Sequence, residues 1–315
     1  MIRWNETDGT PSWRTQKQGF PAALPPTMLT DDELHYLYWL AREVYTGEGE
    51  IIDGGCLRGA STSCFAAGLR HNRTVANRIR RIHSYDLFHY EEYQMAHLFP
   101  GAGLKTGDSF LPLFEAHLAI HREQVTIVPG DILTKHWSGQ PIEILFLDLV
   151  KSNEINTHVI REFFSHLIPQ RSVVLQQDYY HFYCYWIHLA MAHLSEYFEI
   201  IPSPAWNTLA FRLLRPIPQE LLELDYSRLP ADEQVRLMEL AVAREQGTRR
   251  LMVMDAQVRL LGVLGKTSAA WATAEAIYRS PDWIEQLAPQ PFGAIYYSRQ
   301  RTTPVREADV PPTIR

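Results

Sequence analysis

Short apolar runs ended by Gly, Asp or Pro alternate along the chain with stretches of helical periodicity. Glu50-Ile51-Ile52-Asp53 is the first such run, and its length and terminating turn suit a strand buried on both faces. Glycines follow at once, then a helix from Ala60 to Leu69. Ile82 to Asp86 predicts a second strand, residues 89–120 an excursion with a helix, and Val125 to Val128 a third strand. Ile142 to Asp148 is the clearest strand of all, followed by a helix over 154–167 that Pro169 stops. Ser172 to Gln176 is a fifth strand and 182–196 an aromatic-rich helix. Tyr197 to Ile201 and Trp206 to Leu214 then form a strand pair joined by Pro202-Ser203-Pro204. Ahead of the first strand, Thr30-Asp31-Asp32-Glu33 is a capping box opening a helix that runs to Tyr45 and breaks at Gly47.

Strand, glycine turn and helix, repeated, predict an α/β fold with a mostly parallel, doubly wound sheet. Five strands with helical crossovers, closed by a strand pair, resemble the Rossmann-like class I methyltransferase sheet, whose last strand runs antiparallel. The expected organisation is an arm and capping helix over 1–45, the sheet domain over 46–216, and a helical extension and tail over 217–315. The extension has helical periodicity at Leu229–Gln246, Arg249–Leu264 and Ser268–Tyr278, and the last thirty residues are rich in Pro and Arg. Its apolar positions Leu237, Leu240 and Val242 need a covering surface, which would make the segment a lid or a homo-oligomer interface.

With 46% hydrophobic and 21% charged residues, the chain has enough apolar surface to exclude wholesale disorder. Thirty Lys and Arg against thirty-six Asp and Glu give a net charge of −6, the opposite of the bias that phosphate-gripping proteins carry, so no nucleic-acid partner is expected. Cys56, Cys64 and Cys184 fit neither a disulfide framework nor a zinc pattern. Met1 to Gln18 is polar, and no apolar run approaches a membrane span. The expectation is a soluble cytoplasmic protein without a membrane partner.

The central motif is Asp53-Gly54-Gly55-Cys56-Leu57-Arg58-Gly59-Ala60-Ser61. Glycine permits the positive φ of a tight turn and a close approach to backbone, and the helix behind the turn presents unpaired N–H groups. Neither register fits the G-x-G-x-x-G of a dinucleotide site: the second glycine falls on Cys56 or on Leu57, which disfavours a nucleotide-dependent oxidoreductase. The segment does fit D-x-G-x-x-x-G, the shape of S-adenosylmethionine turns, with Asp53, Gly54, Gly55, Gly59 and Ser61 as cofactor-binding candidates. Asp86, ending the second strand, can accept both hydroxyls of an adenosyl ribose. Gly265-Lys266-Thr267 ends like a P-loop, but Leu260 stands where the earlier glycine is required and no strand precedes it, so it reads as a break between helices.

In the order of its landmarks the chain resembles one branch of class I methyltransferases, the macrocin O-methyltransferase family and its cephalosporin-hydroxylase-type relatives. The family's G-V-W-R-G-G-A turn matches Gly55 to Ser61, its D-S-F matches Asp86-Leu87-Phe88, and its Thr- and Pro-rich loop matches Gly130 to Thr134. Its D-G-D-x-Y-x-S corresponds to Asp148-Leu149-Val150-Lys151-Ser152, and its D-D-Y to Gln177-Asp178-Tyr179. The resemblance spans residues 45–215. It implies S-adenosylmethionine as donor, held by the turn at 53–59 and Asp86, with Asp131 near the adenine. It also implies a divalent cation such as Mg2+ on Asp148 and Asp178, which would orient an acceptor hydroxyl and lower its pKa. Gln177 and Lys151 depart from that pattern: one ligand becomes a neutral carbonyl, and an ammonium beside the carboxylates would repel a cation.

His181, three residues after Asp178, is the candidate general base, with Lys151 as runner-up and Asp178 as the third catalytic candidate. Tyr179 to Trp186 is strongly aromatic and reads as core before it reads as a pocket wall, and His188 and His193 are too far apart for an i, i+4 ligand pair. Together these features predict O-methylation of a small-molecule or saccharide hydroxyl, in natural-product or glycan biosynthesis. The alternative is a degenerate methyltransferase fold acting as a scaffold.

Overall fold

The computed structural model describes residues 12–15, 17–204 and 207–282. The first eleven residues of the arm, Trp206 at the start of the strand pair and the Pro- and Arg-rich tail lie outside them. The chain packs as two compact units: one is the chain up to Leu149 with Glu162–Gln176 and Phe198–Pro216, the other is Val150–Arg161, Gln177–Tyr197 and the chain from Ile217 onward.

Among the described residues, seven strands form the sheet of the first unit. They are β1 (Glu50–Gly54), β2 (Ile82–Asp86), β3 (Val125–Pro129), β4 (Ile142–Leu147), β5 (Val173–Gln176), β6 (Phe198–Ile201) and β7 (Leu209–Leu213). Their order is β3-β2-β1-β4-β5-β7-β6. The first five pair in parallel, and β7 runs antiparallel between β5 and β6. This is the order, with its antiparallel closing strand, of the class I methyltransferase sheet that the sequence resembles.

β1 and β4 are buried along their whole length, as their apolar runs require. The polar exception, Glu143 on β4, is only 2% exposed. Its carboxylate accepts the backbone N–H groups of Thr46, Gly47, Glu48 and Gly49 at 2.6–3.3 Å, so a concave run of amides offsets the desolvation of the charge. That cluster fixes the turn from which β1 starts.

Helix α1 (Asp31–Trp39) opens with the predicted box: Thr30 Oγ1 accepts Glu33 N–H and Glu33 Oε2 accepts Thr30 N–H at 2.9 Å. The expected continuation to Tyr45 is a π-helical turn, Leu40–Val44, closed by Tyr45 N–H on Leu40 O. Helix α2 (Ala60–His71) crosses this region through Gly68, where an added Cβ would overlap Tyr38 O and stand 2.8 Å from Ala41 Cβ. The arm holds a helical turn at Ser12–Thr15 whose Trp13 is buried edge-on against Tyr36 at 4.9 Å. The excursion carries α3 (Leu111–His117).

Helix α4 (Asn153–Phe163), which belongs to the second unit as far as Arg161, begins the β4–β5 crossover, and α5 (Tyr185–His193), in the second unit, follows β5. The predicted C-terminal helices are α6 (Ala231–Ala243), α7 (Gly247–Val263) and α8 (Thr267–Arg279). Helices α6 and α7 pack on α5, and α8 packs on α7. Leu237 and Val242 are buried in this packing, while Leu240 is exposed, so most of the stripe expected to face a partner is covered within the unit. The aromatic segment is core as expected: Tyr179, Tyr180, Tyr183, Tyr185 and Trp186 are all buried. Gly265, at φ 70°, is the αL break between α7 and α8. All three cysteines are buried and none forms a disulfide, and among the described residues no helix is long and apolar enough to cross a membrane.

Candidate functional site

The strand order reverses between β1 and β4, and open α/β sheets take ligands at the carboxyl edge of such a point. Here β1 runs into Gly54-Gly55 and β2 ends at Asp86. Gly55 has φ 88°, and an added Cβ would lie 2.7 Å from the Asp148 carbonyl; at Gly54 it would meet the Leu149 side chain at 2.8 Å. The backbone leaving β4 therefore fills the space beside these two glycines, where the motif predicts an approaching ligand. Asp148 N–H donates to Gly54 O at 2.7 Å and locks that contact. Gly59, at φ 96°, is the N-cap of α2 and offers no side chain to the first turn, leaving its amides for another acceptor.

Asp53 is wholly buried. Its Oδ2 accepts hydrogen bonds from Ser61 Oγ at 2.9 Å and from Thr62 Oγ1, and Ser84 Oγ lies 3.0 Å from the Thr62 hydroxyl. Oδ1 has no hydrogen-bond partner. Burial, only partly opposed by the two hydroxyls, pushes the Asp53 carboxyl up to about 7. Ser61 is thus committed to Asp53 rather than to solvent, and Thr62 and Ser84 are members of the network that the glycine pattern did not point to.

This shift carries a sign. The folded carboxyl keeps its proton up to about pH 7, whereas the unfolded one releases it near 3.8. The contribution to stability is full below that lower value and is lost as pH rises toward 7, on the order of 4 kcal/mol in all. Asp53→Asn removes this titration. Denaturant melts are therefore expected to show the variant gaining on the parent as pH rises from about 5 to about 8; a difference independent of pH overturns the assignment.

Asp86 is the hinge of the turn. Its Oδ2 accepts Leu57 N–H and its Oδ1 accepts Phe88 N–H, both at 2.8 Å. Leu57 and Phe88 both have positive φ, 46° and 53°, a region costly for side-chain-bearing residues. One carboxylate thus pins two strained residues from two loops. Each oxygen has a further lone pair, so the capacity to accept a diol remains. Burial raises the Asp86 pKa, and the backbone N–H groups counter it. Asp131 is exposed and caps the turn Ile132–Thr134 through Leu133 N–H at 3.0 Å.

The remaining candidates lie in the second unit, save Asp148, which directly follows β4. Asp178, two residues after β5, has φ 63° and is ion-paired with Lys151. Burial pushes the Asp178 carboxyl up, but Lys151, with help from His181, more than offsets this and holds it below the usual carboxylate range. His181 N–H closes the turn onto Asp178 O at 3.0 Å. His181 Nδ1 accepts Tyr183 N–H at 3.3 Å, which places the proton of the neutral ring on Nε2. Burial lowers the His181 pKa and keeps the ring neutral. An ammonium on one carboxylate and a neutral amide at Gln177 do not suit a divalent cation, which needs anionic oxygens facing it. The expected Mg2+ site on Asp148 and Asp178 does not fit this donor set.

Strand order, switch point and paired carboxylates at the sheet edge define a Rossmann-like protein with the class I methyltransferase fold. No protein-family model matches the chain, and no curated protein does. Among solved structures it is similar to the O-methyltransferase NovP, at 14% identity and a TM-score of 0.47, over 67% of this chain and 91% of that one. It is also similar to CalS11, a TDP-rhamnose 3'-O-methyltransferase of calicheamicin biosynthesis, at 20% identity and a TM-score of 0.42, over 57% of this chain and 77% of that one. The methyltransferase SibL aligns at 14% identity and a TM-score of 0.34, over 63% and 65% of the two chains. With every score below one half, the fold rests on the strand order and not on these likenesses.

Proposed function

We propose that the chain is an S-adenosylmethionine-dependent methyltransferase that methylates a small-molecule or saccharide hydroxyl. The observation that carries this reading is the pair of acids at the switch point: Asp53, buried with one oxygen unpartnered, and Asp86, holding the turn while keeping lone pairs to spare. S-adenosylmethionine, when bound, supplies an electrophilic methyl group on a sulfonium sulfur. In this reading Asp86 accepts the ribose hydroxyls, the uncapped first turn of α2 faces the polar end of the ligand, and Asp53 keeps the turn in shape through Ser61 and Thr62. The order of five landmarks over residues 45–215 supports the class of acceptor.

Of the two candidates for the hydroxyl's proton, Lys151 is engaged in an ion pair with Asp178. His181 is neutral, and it takes the proton on Nδ1 by exchanging the 3.3 Å contact to Tyr183 N–H for the substrate hydroxyl. Lys151 supplies the positive charge that a metal would bring, so the proposed transfer needs none.

Titration calorimetry with S-adenosylhomocysteine is the test, run with magnesium and again with EDTA. The expected result is micromolar binding of equal strength in both buffers. Magnesium-dependent binding overturns the metal-free reading alone. No heat in either buffer, from folded protein with an empty site, overturns the methyltransferase and leaves the scaffold.

A further inference from the structure

In a chain of net charge −6, the segment between Asp53 and Asp86 holds six arginines and no acidic residue. Two of those arginines, Arg70 and Arg78, line a cavity of about 370 Å³ in the first unit, together with Arg122. The cavity sits where the chain leads into β2 and β3, at their amino ends. In parallel strands this is the opposite edge from the glycine turn and Asp86. Nothing in the proposed methyl transfer uses it.

The guanidinium groups are held in place before any ligand arrives. Arg70 donates to Ile120 O at 2.7 Å, Arg78 to Asn72 O at 2.6 Å, and Arg122 to Glu115 at 3.0 Å. Asn72 is itself rigid: its amide spans Ala41 O and Tyr45 O, and its Oδ1 accepts Thr74 and Val75 N–H. Arg78 Nε is buried and has no hydrogen-bond partner. Each fork keeps further N–H donors, and pre-positioned guanidinium forks match phosphate geometry. Glu123 is the acid in the lining, and His121, 5% exposed, is held neutral chiefly by burial. Three arginines against Glu123 in the lining and Glu115, which pairs with Arg122, leave a net positive charge, which suits an anionic phosphate monoester. Ile79 and Ile120, 62% and 71% exposed, also line the cavity and would cover an apolar group beside that charge.

We propose that this cavity is a second binding site, for a small phosphate monoester that carries a ring or other apolar portion. Its volume falls within the range of small-ligand pockets, and its three arginines line one cavity, which favours a small molecule over a nucleic-acid backbone.

Phenyl phosphate is the probe, titrated into the full-length protein and compared with inorganic phosphate and with phenol. Phenyl phosphate is expected to bind, with both controls about tenfold weaker or more, and added salt is expected to weaken it. Arg78→Gln and, separately, Arg122→Gln each remove one charged donor and are expected to lower the affinity about tenfold. Arg122 is exposed and tied to Glu115, so that variant keeps the test alive if Arg78→Gln fails to fold. Arg228→Gln, at an exposed arginine of the second unit, should bind as the parent does. Equal binding by both folded cavity variants overturns the site, as does absence of binding. Binding of an RNA oligonucleotide without phenyl phosphate overturns it too.

Discussion

Gly68→Ala is expected to cost the first unit about 2–3 kcal/mol, a fall in melting temperature of roughly 5–10 °C. The position has ordinary helical geometry, so alanine brings no backbone strain and even gains about 1 kcal/mol of helix propensity. The cost is entirely steric. The new methyl would overlap the carbonyl oxygen of Tyr38 and press on Ala41 Cβ and Arg42 N, all main-chain or rigid neighbours. Relief requires α2 to back away from the π-helical turn that it crosses, and that opens the core around Tyr38, Ala41 and Phe65. Gly101→Ala is the comparison: its φ of 70° is unfavourable, but nothing lies within 4 Å of the added methyl. It should cost about 1 kcal/mol. Equal losses at the two positions would mean that close packing at Gly68 is not what holds these helices together.

Asp86→Ala should reduce affinity for S-adenosylhomocysteine at least about a hundredfold, the loss of two charge-assisted hydrogen bonds at roughly 1.5 kcal/mol each. It should also lower stability by about 1–3 kcal/mol, because the Leu57 and Phe88 amides lose their acceptor while their backbones stay at positive φ. The two effects separate by calorimetry below the melting temperature of the variant. A folded Asp86→Ala protein that binds within about threefold of the parent would leave Asp86 a turn-shaping residue and remove it from the cofactor site.

How much of this was legible in the sequence differs by level. The strands were, because β1 and β4 are buried on both faces and must be nearly continuous apolar runs. The antiparallel closing strand was legible by resemblance, and the capping box at Thr30 by spacing alone. Gly68 was not, because a glycine that lets two helices touch looks like any other small residue in a helix of small residues. The hydroxyls of Thr62 and Ser84 come together with Asp53 through strand register, Asp53 lying beside Ser84, and no local pattern encodes that pairing. Gly54 and Gly55 stood out as a motif, yet the sequence could not reveal that the loop after β4 fills the space beside them. At Lys151, the departure from the family pattern was visible, and its consequence needed the observed pairing with Asp178.

The composition of the second unit bears on how the chain is made. Helix α5 buries Ile187, Leu189 and Met191, and the partners α6 and α7 are encoded some forty to seventy residues later, beyond the last strand of the sheet. At roughly 5–20 residues per second, a growing chain holds that apolar helix out of the ribosome for several seconds before its cover exists. The interval is the stretch of synthesis in which a chaperone has most to bind, and a codon change that slows translation between Pro216 and Val263 would lengthen it without altering one residue of the finished protein.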